Sequence, residues 1–141
     1  MVFVDTNVLV DFLHTPTDEA GAERFQKIRS LFEGISTGNT KALLSEVVLH
    51  ETFYVVVLRK QRINSDQYCD IISGILTWPG WAMDPLELTI LQVALSYVRD
   101  HPDLEFSDSV IAARAEACGA ELATFDKRLA AAFNDPLWAE S

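Results

Sequence analysis

The sequence predicts an α/β protein, a three-layer α/β/α sandwich around a short, mainly parallel central sheet. Brief apolar runs alternate with helical periodicity from end to end, and the runs are apolar on both faces, as strands inside a parallel sheet must be. No low-complexity linker or internal repeat interrupts that alternation. At 141 residues, 49% of them apolar, the chain is long enough for one domain spanning residues 1–141. Such a domain removes roughly two thirds of its extended-chain surface from water.

Residues 2–4 form the first buried strand, and Asp5 stands at its carboxyl end in the turn Asp5-Thr6-Asn7. Thr17, Asp18 and Glu19 then open an amphipathic helix whose apolar positions Phe25, Ile28, Leu31, Phe32 and Ile35 recur until Gly38 breaks the pattern. Residues 42–44 make a second brief strand, and Ser45 caps a helix that reaches Lys60, with Glu46 in its first turn. Ser65 caps another helix through Leu76, and residues 81–83 form a third strand. Asp84-Pro85-Leu86-Glu87 combines a cap, a proline at the first helical position and an acid at the third, ahead of the stripe Leu88, Leu91, Ala94, Leu95 and Val98. Ser107 caps a helix that stops near Gly119, a left-handed terminating residue, and residues 122–125 form a fourth strand. Residues 134–141 read equally well as a packed final strand or a mobile end.

The formal charge of -10 ordinarily argues against a nucleic-acid partner, since phosphate attracts lysine and arginine. That objection lapses if several acids are metal ligands, because bound dications reverse the local sign. Cys69 and Cys118 form no CxxC motif and read as reduced thiols, not as a disulfide or zinc site. The N-terminus lacks a cationic stretch, Asp5 and Asp11 interrupt its apolar residues, and no run approaches the roughly 18 apolar residues of a membrane span. A soluble cytoplasmic protein with no membrane partner is expected.

In a parallel sheet the ligand crevice lies beyond the carboxyl ends of the strands. Asp5 and Asp126 directly follow strands, Asp108 opens a helix, and Glu51 lies on the apolar side of its helix, four residues after Val47 and four before Val55. Each acid also has an ordinary structural role: a strand-to-helix turn for Asp5, the margin of an apolar stripe for Glu51, dipole complement for Asp108, a cap for Asp126. Their joint occurrence is what points to a site.

The segments VFVDTNVLVDFL, LLSEVVLHETFYVV and FSDSVIAARAEACGAELATFDKRL resemble the PIN-domain nucleases, and among them the VapC-type toxins of toxin-antitoxin pairs. The resemblance covers nearly the whole chain and implies that Asp5, Glu51, Asp108 and Asp126 are both catalytic acids and metal ligands. Glu46 competes with Glu51, which is preferred because the family places its acid before an aromatic helical run such as Glu51-Thr52-Phe53-Tyr54. Thr6, Asn7 and Thr124 lie beside the acids as supports, or as plain turn and capping residues. The resemblance further implies RNA as substrate, cleaved to leave a 5′-phosphate without a covalent intermediate. A cognate antitoxin whose tail covers the groove is implied, and so is a homodimer, with Phe53, Tyr54, Tyr68, Trp78 and Trp81 as possible interface aromatics.

Clustered acids need a cation. Two carboxylates about 5 Å apart repel by roughly 3 kcal/mol at an effective dielectric near 20. Hard oxygen donors suit Mg²⁺ or Mn²⁺, and His14, His50 and His101 show no ligand spacing that would suggest zinc. One or two such ions would activate water and stabilise the leaving oxygen. Arg59, Lys60 and Arg62 form the densest basic cluster, either solvated at a helix end or guiding RNA phosphates, and Arg114 and Lys127 lie near the acidic blocks. The competing functions are a catalytically inactive PIN-like binding module acting through protein or RNA contacts, and a phosphatase using Asp5 as nucleophile. The second is disfavoured, since no Asp follows two residues later to act as acid.

Overall fold

Parallel pairing begins at the second residue: β1 (Val2–Phe3) lies beside β2 (Ala42–Leu43), with Val2 opposite Ala42 and Phe3 opposite Leu43. A computed structural model describes residues 1–14, 16–133 and 138. Trp81 adds one parallel bridge to Ala42, fixed by Ala42 N–H to Gly80 O at 2.9 Å and Ala82 N–H to Ala42 O at 2.8 Å. The predicted α/β class with a short parallel sheet is the one observed. The sheet is shorter than expected. Pro79 and Gly80 precede Trp81 and the helix cap at Asp84 follows it, so the expected strand 81–83 pairs at one residue. Residues 122–125 likewise supply only a bridge at Leu122, because the chain turns at Thr124 to cap the last helix.

Seven α-helices surround the sheet among the described residues: α1 (Thr6–Phe12), α2 (Glu19–Thr37), α3 (Glu46–Phe53), α4 (Ser65–Ile75), α5 (Pro85–Asp100), α6 (Phe106–Cys118) and α7 (Lys127–Ala132). Most starts are local and legible. Asp18 accepts from Gly21 N–H, Ser45 from Val48 N–H, and Asp84 from Leu86 N–H. Gly38 (φ 82°) and Gly119 (φ 64°) end α2 and α6 in the left-handed region.

Three starts and continuations differ from expectation. Helix α4 is capped by Asn64, not Ser65, because Asn64 and Gln67 exchange side-chain to backbone bonds at 2.8 and 2.9 Å, a reciprocal pair Ser65 cannot form. Helix α6 begins at Phe106 behind Glu105, so Ser107 sits inside the first turn; burial of the Phe106 ring draws the backbone into helix before Ser107. The helix after Ser45 does reach Lys60, but residues Tyr54–Arg59 form a π-helical turn, with Lys60 N–H bonding Val55 O five residues back. The run Val55, Val56, Val57 crowds a regular helix, and the wider turn seats Val56 in the core.

The core holds the acid-bearing helices in fixed relation. Phe53 at the end of α3, Tyr68 in α4 and Phe106 at the start of α6 form a buried aromatic triangle, with centroids 5.1, 6.3 and 6.4 Å apart. The Tyr68 hydroxyl donates to Leu49 O at 2.7 Å, which satisfies its one polar atom inside that core. A smaller cluster of Leu104, Ala112, Leu122, Leu129, Ala132 and Phe133 fastens α7 against α6. Phe53, Tyr68 and Trp81 are therefore core residues and Trp78 is half-buried; of the expected interface aromatics only Tyr54 is exposed. The alternatives for residues 134–141 fall, Trp138 apart, outside the described residues.

Candidate active site

Val4 is buried and donates to Leu43 O at 3.0 Å, so the chain leaves the sheet at Asp5. Asp5 caps α1 with its Oδ1 accepting from Thr6 N–H at 2.7 Å. The Thr6 hydroxyl in turn donates to Glu51 Oε1 at 3.1 Å, across 45 positions of sequence. This bond joins the first two acids: Asp5 at the sheet edge and Glu51 on the exposed side of α3 share one threonine.

Asp108 and Asp126 form a second pair. Asp108 is half-buried in the first turn of α6, and its carboxyl is raised above the ordinary range by burial first and then by the charges of Asp126 and Glu105. A backbone hydrogen bond at Glu105 and the Arg128 charge oppose that rise without cancelling it. Asp126 is held on both sides. Its N–H donates to the Thr124 hydroxyl at 3.0 Å, while its Oδ1 accepts from Arg128 N–H at 2.9 Å and Leu129 N–H at 3.4 Å.

The sequence-derived acids thus fall into two pairs, Asp5 at the cap of α1 with Glu51 on α3, and Asp108 in α6 with Asp126 at the cap of α7. Among the described residues no three Asp, Glu, His or Cys side chains stand close enough to hold a metal ion together. The donor set nonetheless suits a hard dication, being carboxylate and hydroxyl oxygen throughout, and a cation near Asp108 and Asp126 would relieve the repulsion that raises Asp108. Asn7 is exposed and takes no part in the Thr6 link.

Glu46 has another occupation. Arg114 of α6 donates to Glu46 Oε2 at 3.1 Å and to both Glu87 oxygens at 3.0 Å, tying α3, α5 and α6. Glu87 is held below the usual carboxylate range by its hydrogen bond to Arg114, and the Arg114 pKa is raised by the same bond. Glu46 is thus engaged by Arg114, whereas Glu51 is joined to Thr6. In the sequence Arg114 is far from the first-turn glutamates Glu46 and Glu87, and no periodic spacing connects them. Beside the clamp, Val47 and His50 of α3 face Ser107, Val110 and Ile111 of α6 across a cleft of about 280 Å³. The cleft therefore flanks Glu51 and Asp108 without containing them.

Arg59, Lys60 and Arg62 are exposed at the end of the π-helical turn and form no ion pair among the described residues. They are available to a phosphate backbone but stand apart from the paired acids in sequence.

A model of the PIN domain family matches residues 2–133, so the match spans every element from β1 through α7. This chain belongs to the PIN domain family. No curated protein matches it. PIN domains are usually nucleases that work with divalent metal ions, and they bind nucleic acids. Among the described residues of this PIN domain, no helix is long and apolar enough to cross a membrane.

Proposed function

We propose that this PIN domain is a Mg²⁺- or Mn²⁺-dependent endoribonuclease, the VapC-type toxin of a toxin-antitoxin pair, which inhibits translation by hydrolysing RNA. The observation that carries the proposal is the pairing of acids distant in sequence: Thr6 bridges the Asp5 turn to Glu51, and Asp126 lies near enough to Asp108 to raise its proton affinity. A structural role alone gives no reason to crowd Asp108 and Asp126 in a half-buried setting.

Asp5, Glu51, Asp108 and Asp126 would hold the metal, which supplies positive charge for activating water and stabilising the departing oxygen. Thr6 orients Glu51 through its hydroxyl, and Thr124 with the first N–H groups of α7 fixes Asp126. Such supports typically change metal affinity or activity by about 10- to 100-fold. Water adds to phosphorus as the bond to the 3′ oxygen breaks, leaving a 5′-phosphate and a 3′-hydroxyl. Arg59, Lys60 and Arg62 contact the phosphate backbone, a cognate antitoxin covers the acids, and the protein acts in the cytoplasm as a homodimer of a single domain over residues 1–141.

Purified protein should cut single-stranded RNA with Mg²⁺ or Mn²⁺, stop with EDTA, and yield 5′-phosphate ends. Mapping RNA ends after brief expression, with Asp108→Asn as the control, identifies the target. Full cleavage by Asp5→Asn, or 2′,3′-cyclic phosphate products, would overturn the mechanism.

A further inference from the structure

Phe125 is the residue immediately before the cap of α7, and it is 86% exposed. A lone exposed apolar side chain is ordinary, but this one is stacked. Trp138, itself 52% exposed, lies nearly parallel to it, with centroids 4.9 Å apart and planes 14° apart. The core aromatics behave differently: Phe12 on Phe32 and Phe53 on Tyr68 meet edge-on, with Phe32, Phe53 and Tyr68 buried and Phe12 half-buried. Two parallel rings left in solvent form a ledge, and the extent of Phe125 exposure means that its face away from Trp138 is open.

The ledge has charged neighbours. Asp126, which raises Asp108, follows directly, and Lys127 and Arg128 come next, both exposed. Lys127 forms no ion pair among the described residues, and Arg128 approaches Asp126 only at 3.7 Å. An open π face, a candidate site carboxylate and a cation with no ion pair among the described residues therefore occupy consecutive positions in a chain of net charge -10. That combination suits a base stacked on the ring with its phosphates beside the cations.

We propose that Phe125, backed by Trp138, is a stacking platform for an unpaired nucleobase of the RNA whose phosphodiester is presented to the acids. The proposal rests on the nuclease function and adds a binding subsite to it. A nucleobase fits better than a protein segment, because the apolar surface amounts to two rings bordered by charge, whereas protein interfaces need a desolvated apolar centre. Stacking involves no hydrogen-bond code, so the platform accepts any base and holds purines more firmly than pyrimidines.

The test measures binding of a 12-residue oligoadenylate, an oligouridylate and inorganic polyphosphate in an uncleaving Asp5→Asn background with Mn²⁺, beside RNA cleavage by the wild type. Phe125→Ala should weaken oligoadenylate binding by about 5- to 150-fold and oligouridylate binding by less, while polyphosphate binding stays unchanged. Phe125→Trp should restore the loss, which a change in backbone packing would not allow. Equal oligoadenylate binding by Phe125→Ala, or a parallel loss of polyphosphate binding, overturns the platform while wild-type cleavage keeps the nuclease. A wild type that neither cleaves nor binds RNA overturns both. If Phe125→Ala instead impairs only self-association or antitoxin binding, the rings belong to a protein interface and the platform is wrong.

Discussion

Arg114→Met tests whether the clamp on Glu46 and Glu87 sets the relation of α3 and α6. Methionine keeps the apolar stem and removes the guanidinium. The wild-type arginine makes three bonds at 3.0 to 3.1 Å, with side chains 38%, 39% and 44% exposed for Arg114, Glu46 and Glu87. Exposed ion pairs contribute about 0.2 to 1 kcal/mol each, and the bidentate geometry at Glu87 places this network near the upper end. A loss of about 1 to 2 kcal/mol at pH 7 follows, measured by urea unfolding. The acid dependence has a definite sign. Glu87 is held below its unfolded value by Arg114, so the stabilisation is present above the unfolded carboxylate pKa and is lost as pH falls through the folded one. The gap between wild type and Arg114→Met should therefore narrow below about pH 4 to 5. Adding Glu87→Gln to Arg114→Met should cost less than it does in the wild type. A gap that persists undiminished at pH 3, or strictly additive substitutions, would refute this account of the clamp.

Glu46→Gln should leave RNA cleavage within about threefold of wild type, whereas Glu51→Gln should lower it by about 100-fold or more; the reverse order would return Glu46 to the site. Thr6→Val should reduce cleavage by about 10-fold through misorientation of Glu51, with the deficit shrinking as Mn²⁺ is raised in a metal titration. Because the folded Asp108 carboxyl is raised, its charge opposes folding near neutral pH, so Asp108→Asn should abolish cleavage yet raise the metal-free Tm by about 1 to 3 °C; a lower Tm would deny the crowding. Gly80→Ala would drive a Cβ into the carbonyl oxygens of Ile35 and Thr40 and should destabilise by about 2 kcal/mol or more, while Gly74→Ala, with open space around it on α4, should stabilise by about 0.5 to 1 kcal/mol. A urea midpoint that rises for Gly80→Ala or falls for Gly74→Ala would contradict the corresponding claim.

Helix starts were readable because caps act over three residues: Asp18, Ser45 and the Asp84-Pro85 pair do their work within one turn. Gly38 and Gly119 were readable for the same reason, since a left-handed residue is a local demand. Strand length was not, because the pairing of Ala42 with both Val2 and Trp81 is settled by contacts across the chain. The start of α6 was missed where burial of Phe106 outweighed the capping preference of Ser107, and the π-helical turn where packing of Val56 outweighed regular helix geometry. Among the candidate acids, the places of Asp5 and Asp126 at helix caps and of Asp108 in a first turn were legible, again because those positions are local. The Thr6 bridge and the Arg114 clamp were not, because each joins residues whose separation in sequence carries no periodic signature.

The widened turn after α3 carries one residue more than a regular coil would need, and it also decides which way the stretch beyond it faces. Were residues 54–59 to tighten to ordinary pitch with no position removed, Arg59, Lys60 and Arg62 would swing by about 100° around the axis. Gln61, at φ 51°, would lose the bend it currently completes. The bearing of the positive arm is thus set by main-chain winding, and a substitution that relaxed the wide turn to ordinary pitch would redirect it while every charge stayed in place.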